Sequence, residues 1–220
     1  NKMLLGGKGA NLCEMTQIGL NVPPGFTITT EACLAYLERN QLPEGLMEDI
    51  KARIKALEKK TGKGFGSADN PLLVSVRSGA PVSMPGMMDT LLNIGLCDAT
   101  VHGLIRLTGN PRLAWDSYRR LVQQFAEVVH GAEAAPFRAA LDAAQREAGV
   151  DSPREPKLDN ARELDFRQLA QLTREFLAIF REATDQPFPQ DPLEQAEAAI
   201  AAVFASWNSE RAVEYRRLND

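Results

Sequence analysis

Apolar positions along the chain recur at two periods, and the period changes about halfway through. Residues 10–18 carry Leu12 and Met15 at helical spacing, and Gly19 suits the left-handed stop that follows a helix. Val22-Pro23-Pro24-Gly25 reads as an extended bend, because proline restricts itself and its predecessor. Phe26-Thr27-Ile28-Thr29 alternates like a short strand. Thr30 is placed to cap a helix over 31–40 with Cys33, Leu34 and Leu37 turned inward. A second helix over 44–60 has a stripe of Leu46, Ile50, Ile54 and Leu57, and a glycine-rich loop over 61–69 follows. Leu72-Leu73-Val74-Ser75-Val76 is short and almost wholly apolar, the pattern of a strand buried on both faces. Residues 91–96 read as a further strand.

Beyond Cys97 only helical periodicity appears. The pattern predicts helices over 98–107, from the Asn110-Pro111 cap to about residue 130, over 136–148 and over 165–184. Trp115, Tyr118, Leu121, Val122, Phe125 and Val129 supply the core face of the second of these. A polar linker over 150–163 and a second over 185–191 separate them. Asp191-Pro192 caps a helix running through Ile200 and Val203 to Trp207, and a last helix follows Asn208-Ser209. The expected class is α+β, mostly helical with a small sheet. The expected division is a first part, 1–97 with 188–220, and a helical part, 98–187.

Composition adds limits. With 220 residues, 44% of them hydrophobic, the chain can bury a core without staples. A net charge of -4 suggests neither a nucleic-acid nor a membrane-surface partner. The basic pairs Lys59-Lys60, Arg119-Arg120 and Arg216-Arg217 sit in helical patterns and read as solvated faces. Cys13, Cys33 and Cys97 are odd in number and lack metal-ligand spacing, which points to a reducing, cytoplasmic compartment. No apolar run approaches a membrane span. Asn1 opens in mid-pattern and the last helix runs to the chain end, so the sequence reads as a piece of a longer protein.

Few residues carry candidate chemistry. Gly6-Gly7-Lys8-Gly9 before a helix allows close backbone approach to a phosphate, with Lys8 as a point charge; on spacing alone the match is weak and a plain tight turn is the simpler reading. It is not the GxxxxGKS/T phosphate loop. Gly62-Lys63-Gly64-Phe65-Gly66 follows a helix and reads as a connection. Arg77, directly after an apolar strand, needs a partner: either a phosphate, onto which it forks two donors, or one of the chain's many carboxylates. The loop Ser83-Met84-Pro85-Gly86-Met87-Met88-Asp89-Thr90 fits a lid or adenine slot, or a methionine-filled gap in the core. His102 and His130 stand singly on helices and read as structural or exposed.

Taken together, several segments resemble the N-terminal ATP-binding region of the pyruvate phosphate dikinase family. They are Leu5-Gly6-Gly7-Lys8-Gly9-Ala10-Asn11-Leu12, Val22-Pro23-Pro24-Gly25-Phe26-Thr27, and Leu73-Val74-Ser75-Val76-Arg77-Ser78-Gly79-Ala80 running on through the methionine loop. Thr108-Gly109-Asn110-Pro111-Arg112 and Ser206-Trp207-Asn208 also fit. Pro81 departs from the arginine expected in many relatives. Phosphoenolpyruvate synthase shares the glycine–lysine turn and the Val-Arg-Ser strand end, but its following loop usually differs. A reading from another class is a non-catalytic helical interaction module.

The resemblance implies the first lobe of an ATP-grasp fold with a helical subdomain, and ATP as ligand. It implies that Lys8 and Arg77 contact the ATP phosphates, with Arg77 also serving catalysis. Magnesium is implied as a cofactor whose carboxylate ligands lie beyond Asp220. The implied partners are a phosphohistidine domain and a pyruvate-binding domain of the same full-length enzyme, itself a homodimer. The implied reaction converts ATP, phosphate and pyruvate to AMP, pyrophosphate and phosphoenolpyruvate. A single lobe is expected to be inactive alone.

Overall fold

The computed structural model describes residues 1–80, 88–149 and 161–219. Two expectations lie outside these residues: the heart of the methionine loop, with Pro81, and most of the 150–163 linker.

The described elements run α1 (Lys2–Gln17), α2 (Thr30–Arg39), α3 (Leu46–Thr61), β1 (Val74–Arg77), β2 (Thr90–Ile94), α4 (Asp98–Thr108), α5 (Pro111–His130), α6 (Ala135–Glu147), α7 (Phe166–Thr184), α8 (Pro192–Ala205) and α9 (Glu210–Asn219). The α+β, mostly helical class is therefore what the chain adopts. Helix ends follow local chemistry. The Asn110 side chain accepts from the Leu113 amide and Pro111 opens α5, whose far end turns left-handed at Gly131. Asp165 and Gln168 form a capping box on α7, and the Asp191 carboxylate accepts from the Leu193 amide on α8.

The main core lies between α5 and α7. Tyr118, Leu121, Val122 and Phe125 meet Leu169, Leu172, Phe176 and Phe180, and all are buried. Phe137 of α6 closes one side against Phe176, ring centroids 5.1 Å apart. Phe188, from the linker before α8, stands edge-on to Phe125 at 5.4 Å. Each such side chain contributes about 1.5–3 kcal/mol by leaving water. A smaller cluster of Ile50, Ile54, Ile200 and Phe204 joins α3 to α8, with α2 residues packed against it.

Strands β1 and β2 pair antiparallel as a two-stranded sheet, Val76 opposite Leu91 and Arg77 opposite Thr90. One extra residue on β2 falls between the Val74–Ile94 and Val76–Leu91 pairs, a bulge at which Asn93 takes a φ of 60°. Gln195 of α8 fixes the far end of β2. Its Oε1 accepts from the Gly95 amide at 2.8 Å, and its Nε2 donates to the Leu96 and Pro189 carbonyls at 2.9 and 2.8 Å. The bonds to Gly95 and Leu96 are buried, so the amide meets their hydrogen-bonding needs where water does not.

Four expectations need correction. β1 is not buried on both faces: Val74 and Val76 are half-buried, while Ser75 and Arg77 point outward. Val74 and Val76 pack against the cores while Ser75 and Arg77 are exposed, so the strand alternates. Residues 26–29 are not a strand; they pair with no described strand, and Phe26 is exposed. Leu34 is not inward but 57% exposed, because α2 meets its neighbours through Ala32, Cys33 and Tyr36. Arg119 is not on a solvated face. It is fully buried, with Nη2 2.7 Å from the Asp116 carboxylate and its guanidinium over the Phe176 ring. The α5–α7 contact is wide enough to swallow an arginine once a carboxylate one turn away neutralises it.

Candidate functional site

The glycine turn and the end of β1 meet through backbone. α1 breaks at Gly6, where φ is 68° and ψ 167°, so a single turn over residues 2–5 is followed by a fresh helix starting at Gly7. The expectation of a turn followed by a helix from residue 10 is refined accordingly: helix stands on both sides of Gly6, and Lys8 lies in the first turn of the second segment. That turn is the positive end of the helix dipole.

Gly6 sits directly on Gly79. A Cβ at Gly6 would overlap the Gly79 carbonyl oxygen, and the Gly7 amide donates to the Ala80 carbonyl at 2.9 Å. A Cβ on Gly79 would in turn lie 3.8 Å from the Lys8 Cβ and 3.8 Å from the Gly9 amide nitrogen. A Cβ on Gly9 would come within 2.9 Å of Thr27 Cγ2. Glycines at 6 and 9 thus allow a close approach that side chains would block. Lys8 lies against backbone only two residues beyond Arg77.

Lys8 and Arg77 are both exposed, and neither forms an ion pair with a described residue. Of the two partners open to Arg77 in the sequence, a carboxylate of the described residues is therefore not the one taken. The Asp89 carboxylate, beyond the methionine loop, lies 3.6 Å from Arg211, while the Asp89 amide donates to Ser206 Oγ at 3.5 Å.

A cleft of about 380 Å³ opens between α5 and α8, lined by Tyr36, Asp89, Val128, Val129, Ser206 and alanines of α8. Neither Lys8 nor Arg77 lines it. Asp89 is the charged residue among its lining, and it faces Arg211.

His102 stands edge-on to Trp115, and His130 packs edge-on to Phe180 at 5.3 Å. Burial pushes the His130 imidazole below its ordinary value. Among the described residues no three His, Cys, Asp or Glu side chains gather as metal ligands. No helix among them is long and apolar enough to cross a membrane.

The family model described as "Pyruvate phosphate dikinase, AMP/ATP-binding domain" matches residues 2–48 and 41–220. The chain belongs to this family. It is 52% identical over 218 residues to the pyruvate, phosphate dikinase of Entamoeba histolytica, covering 99% of this chain and 24% of that protein. Against the enzyme of Clostridium symbiosum it is 47% identical over 219 residues, again 99% of this chain and 24% of the relative. The chloroplastic dikinase 1 of Arabidopsis thaliana matches at 47% over 219 residues, 22% of its length. The chain thus spans about a quarter of the length of these relatives.

The sequence pattern does not reveal Thr30 as part of this junction. It suggests that Thr30 caps its own helix, but Thr29 is the N-cap of α2 and makes no side-chain cap bond. The Thr30 hydroxyl instead donates to the Met3 carbonyl at 2.6 Å, with the Leu4 carbonyl at 3.3 Å. No local signal distinguishes the two roles, because the partner lies 27 residues away.

Proposed function

We propose that this chain is the ATP-binding part of a pyruvate phosphate dikinase, and that Lys8 and Arg77 bind the ATP phosphates. The observation that carries the reading is the glycine junction. It sets the first turn of a helix, with Lys8, against the end of the strand that bears Arg77. Phosphoryl transfer asks a protein mainly for charge neutralisation and positioning. Lys8 supplies a point charge, and Arg77 a planar fork of donors that also serves catalysis by holding the phosphate chain in line. ATP supplies the transferable phosphoryl when bound. The backbone fits it, since Lys8 stands in the first turn of a helical segment, whose positive end favours an anion.

On this reading the chain is the first lobe of an ATP-grasp fold. Residues 1–97 with 188–220 form the nucleotide-binding part, and 98–187 the helical part. Magnesium is held by carboxylates outside this chain. A phosphohistidine domain and a pyruvate-binding domain complete the enzyme, a homodimer that makes phosphoenolpyruvate, AMP and pyrophosphate from pyruvate, ATP and phosphate. The three unpaired cysteines favour a reducing, cytoplasmic setting. The chain by itself is expected to make no phosphoenolpyruvate.

The test is titration of labelled ATP against the full-length parent, Lys8→Ala and Arg77→Ala. Each substitution should weaken binding about tenfold or more, the effect of losing one charge-assisted contact. Equal affinities for all three proteins would remove the reading.

A further inference from the structure

In an unbroken helix the Gly7 amide would donate to the Met3 carbonyl, four residues back. At the Gly6 break it donates to the Ala80 carbonyl instead, and Met3 loses its helical donor. The Thr30 hydroxyl takes the vacated place, 2.6 Å from the Met3 oxygen and 3.3 Å from that of Leu4, whose own helical donor would be the Lys8 amide. Two exchanges therefore hold the break open: Gly7 bonds outward to the strand end, and Thr30 satisfies what Gly7 left behind. Without the hydroxyl, the exposed Met3 carbonyl is left to water, and the break loses the side-chain bonds that tie it to the start of α2. A break untied from α2 is free to shift the helix start that carries Lys8 relative to the strand end at Gly79.

We propose that Thr30 is a positioning residue for nucleotide binding: its hydroxyl stabilises the broken form of α1 and thereby aims Lys8. The inference rests on the reading that Lys8 contacts the ATP phosphates. Thr30 itself touches no substrate. Threonine is suited to the task because its stiff χ1 holds the hydroxyl in one direction at the first residue of α2.

The experiment uses the full-length parent enzyme and four variants: Thr30→Val, Thr30→Ser, Lys8→Ala and the Thr30→Val/Lys8→Ala pair. Thr30→Val should raise the KM for ATP about five- to tenfold, with KM for pyruvate and for phosphate unchanged. Thr30→Ser should restore it to within about twofold of the parent, since the hydroxyl is kept. In the Lys8→Ala background, Thr30→Val should add nothing, because the two act through one contact. A raised ATP KM in Lys8→Ala with none in Thr30→Val overturns the inference and leaves the Lys8 reading standing. An unchanged ATP KM in Lys8→Ala removes that reading and the inference with it. Additive effects in the pair, or a Thr30→Val that lowers Tm and kcat without moving ATP KM, assign Thr30 a merely structural role. If Thr30→Val does not fold, Thr30→Ala replaces it in the same cycle, where a raised ATP KM that vanishes in the Lys8→Ala background supports the inference and an unchanged one overturns it.

Discussion

Gly6 rests on the carbonyl of Gly79 so closely that no Cβ fits between them, although the two lie far apart in the sequence. Gly6 also holds a φ of 68°, where a side chain is strained whatever the space. The two demands act together: one residue must bend α1 and admit the strand end.

Gly6→Ala should therefore destabilise the chain by about 3 kcal/mol or more, through left-handed strain plus a clash against backbone that cannot swing aside. Gly19→Ala is the matched comparison. Its φ is 84°, but it faces open space, so it should cost only about 1 kcal/mol. Urea unfolding of both variants reads the difference. Coincident midpoints would mean that the Gly6–Gly79 contact is not part of the folded chain.

Asp116 and Arg119 give a second asymmetry. Arg119 is wholly buried, and Asp116 also holds Arg120 at 3.0 Å. Asp116→Ala removes a carboxylate that neutralises a guanidinium in the α5–α7 core and should cost about 3 kcal/mol. Arg119→Met keeps the volume, retains the Phe176 contact and removes the desolvation cost, so its loss should be less than half as large. Thermal melts of the two variants decide it; equal losses would show that the pair is net stabilising.

The three thiols should separate by rate. Cys13 is exposed on α1, Cys33 is half-buried on α2, and Cys97 is 3% exposed. Burial pushes the Cys33 thiol above its ordinary value, which lowers its thiolate fraction at neutral pH. Maleimide should label Cys13 first, Cys33 slowly, and Cys97 only once urea unfolds the chain. Fast labelling of Cys97 in the native protein would contradict the packing at the start of α4.

Much of the helical architecture was legible because its signals are local. The Asn110-Pro111, Asp165 and Asp191-Pro192 starts, and the left-handed stop after α4, depend on residues within one turn of each other. The strands were harder. A run such as Leu72–Val76 is equally apolar whether one face or both are covered, and only the number of layers around it settles the matter. Phe26–Thr29 alternates correctly yet finds no described partner strand, since alternation describes a strand's faces and not its neighbours.

The candidate site divides the same way. Residue type made Lys8 and Arg77 candidates with other readings open, and only the resemblance to the dikinase family gave them phosphate as a partner. That Gly6 would meet Gly79, that Thr30 would serve Met3 and not its own helix, and that Arg119 would lie inside were matters for tertiary structure. Each rests on a contact between segments far apart in the chain or on how two helix faces close. By itself the sequence determined which residues can bend, cap or carry charge, since those are properties of a side chain and its immediate neighbours. Their partners were decided only when the chain closed on itself, because burial and long-range hydrogen bonds belong to pairs of surfaces and not to any one stretch of residues.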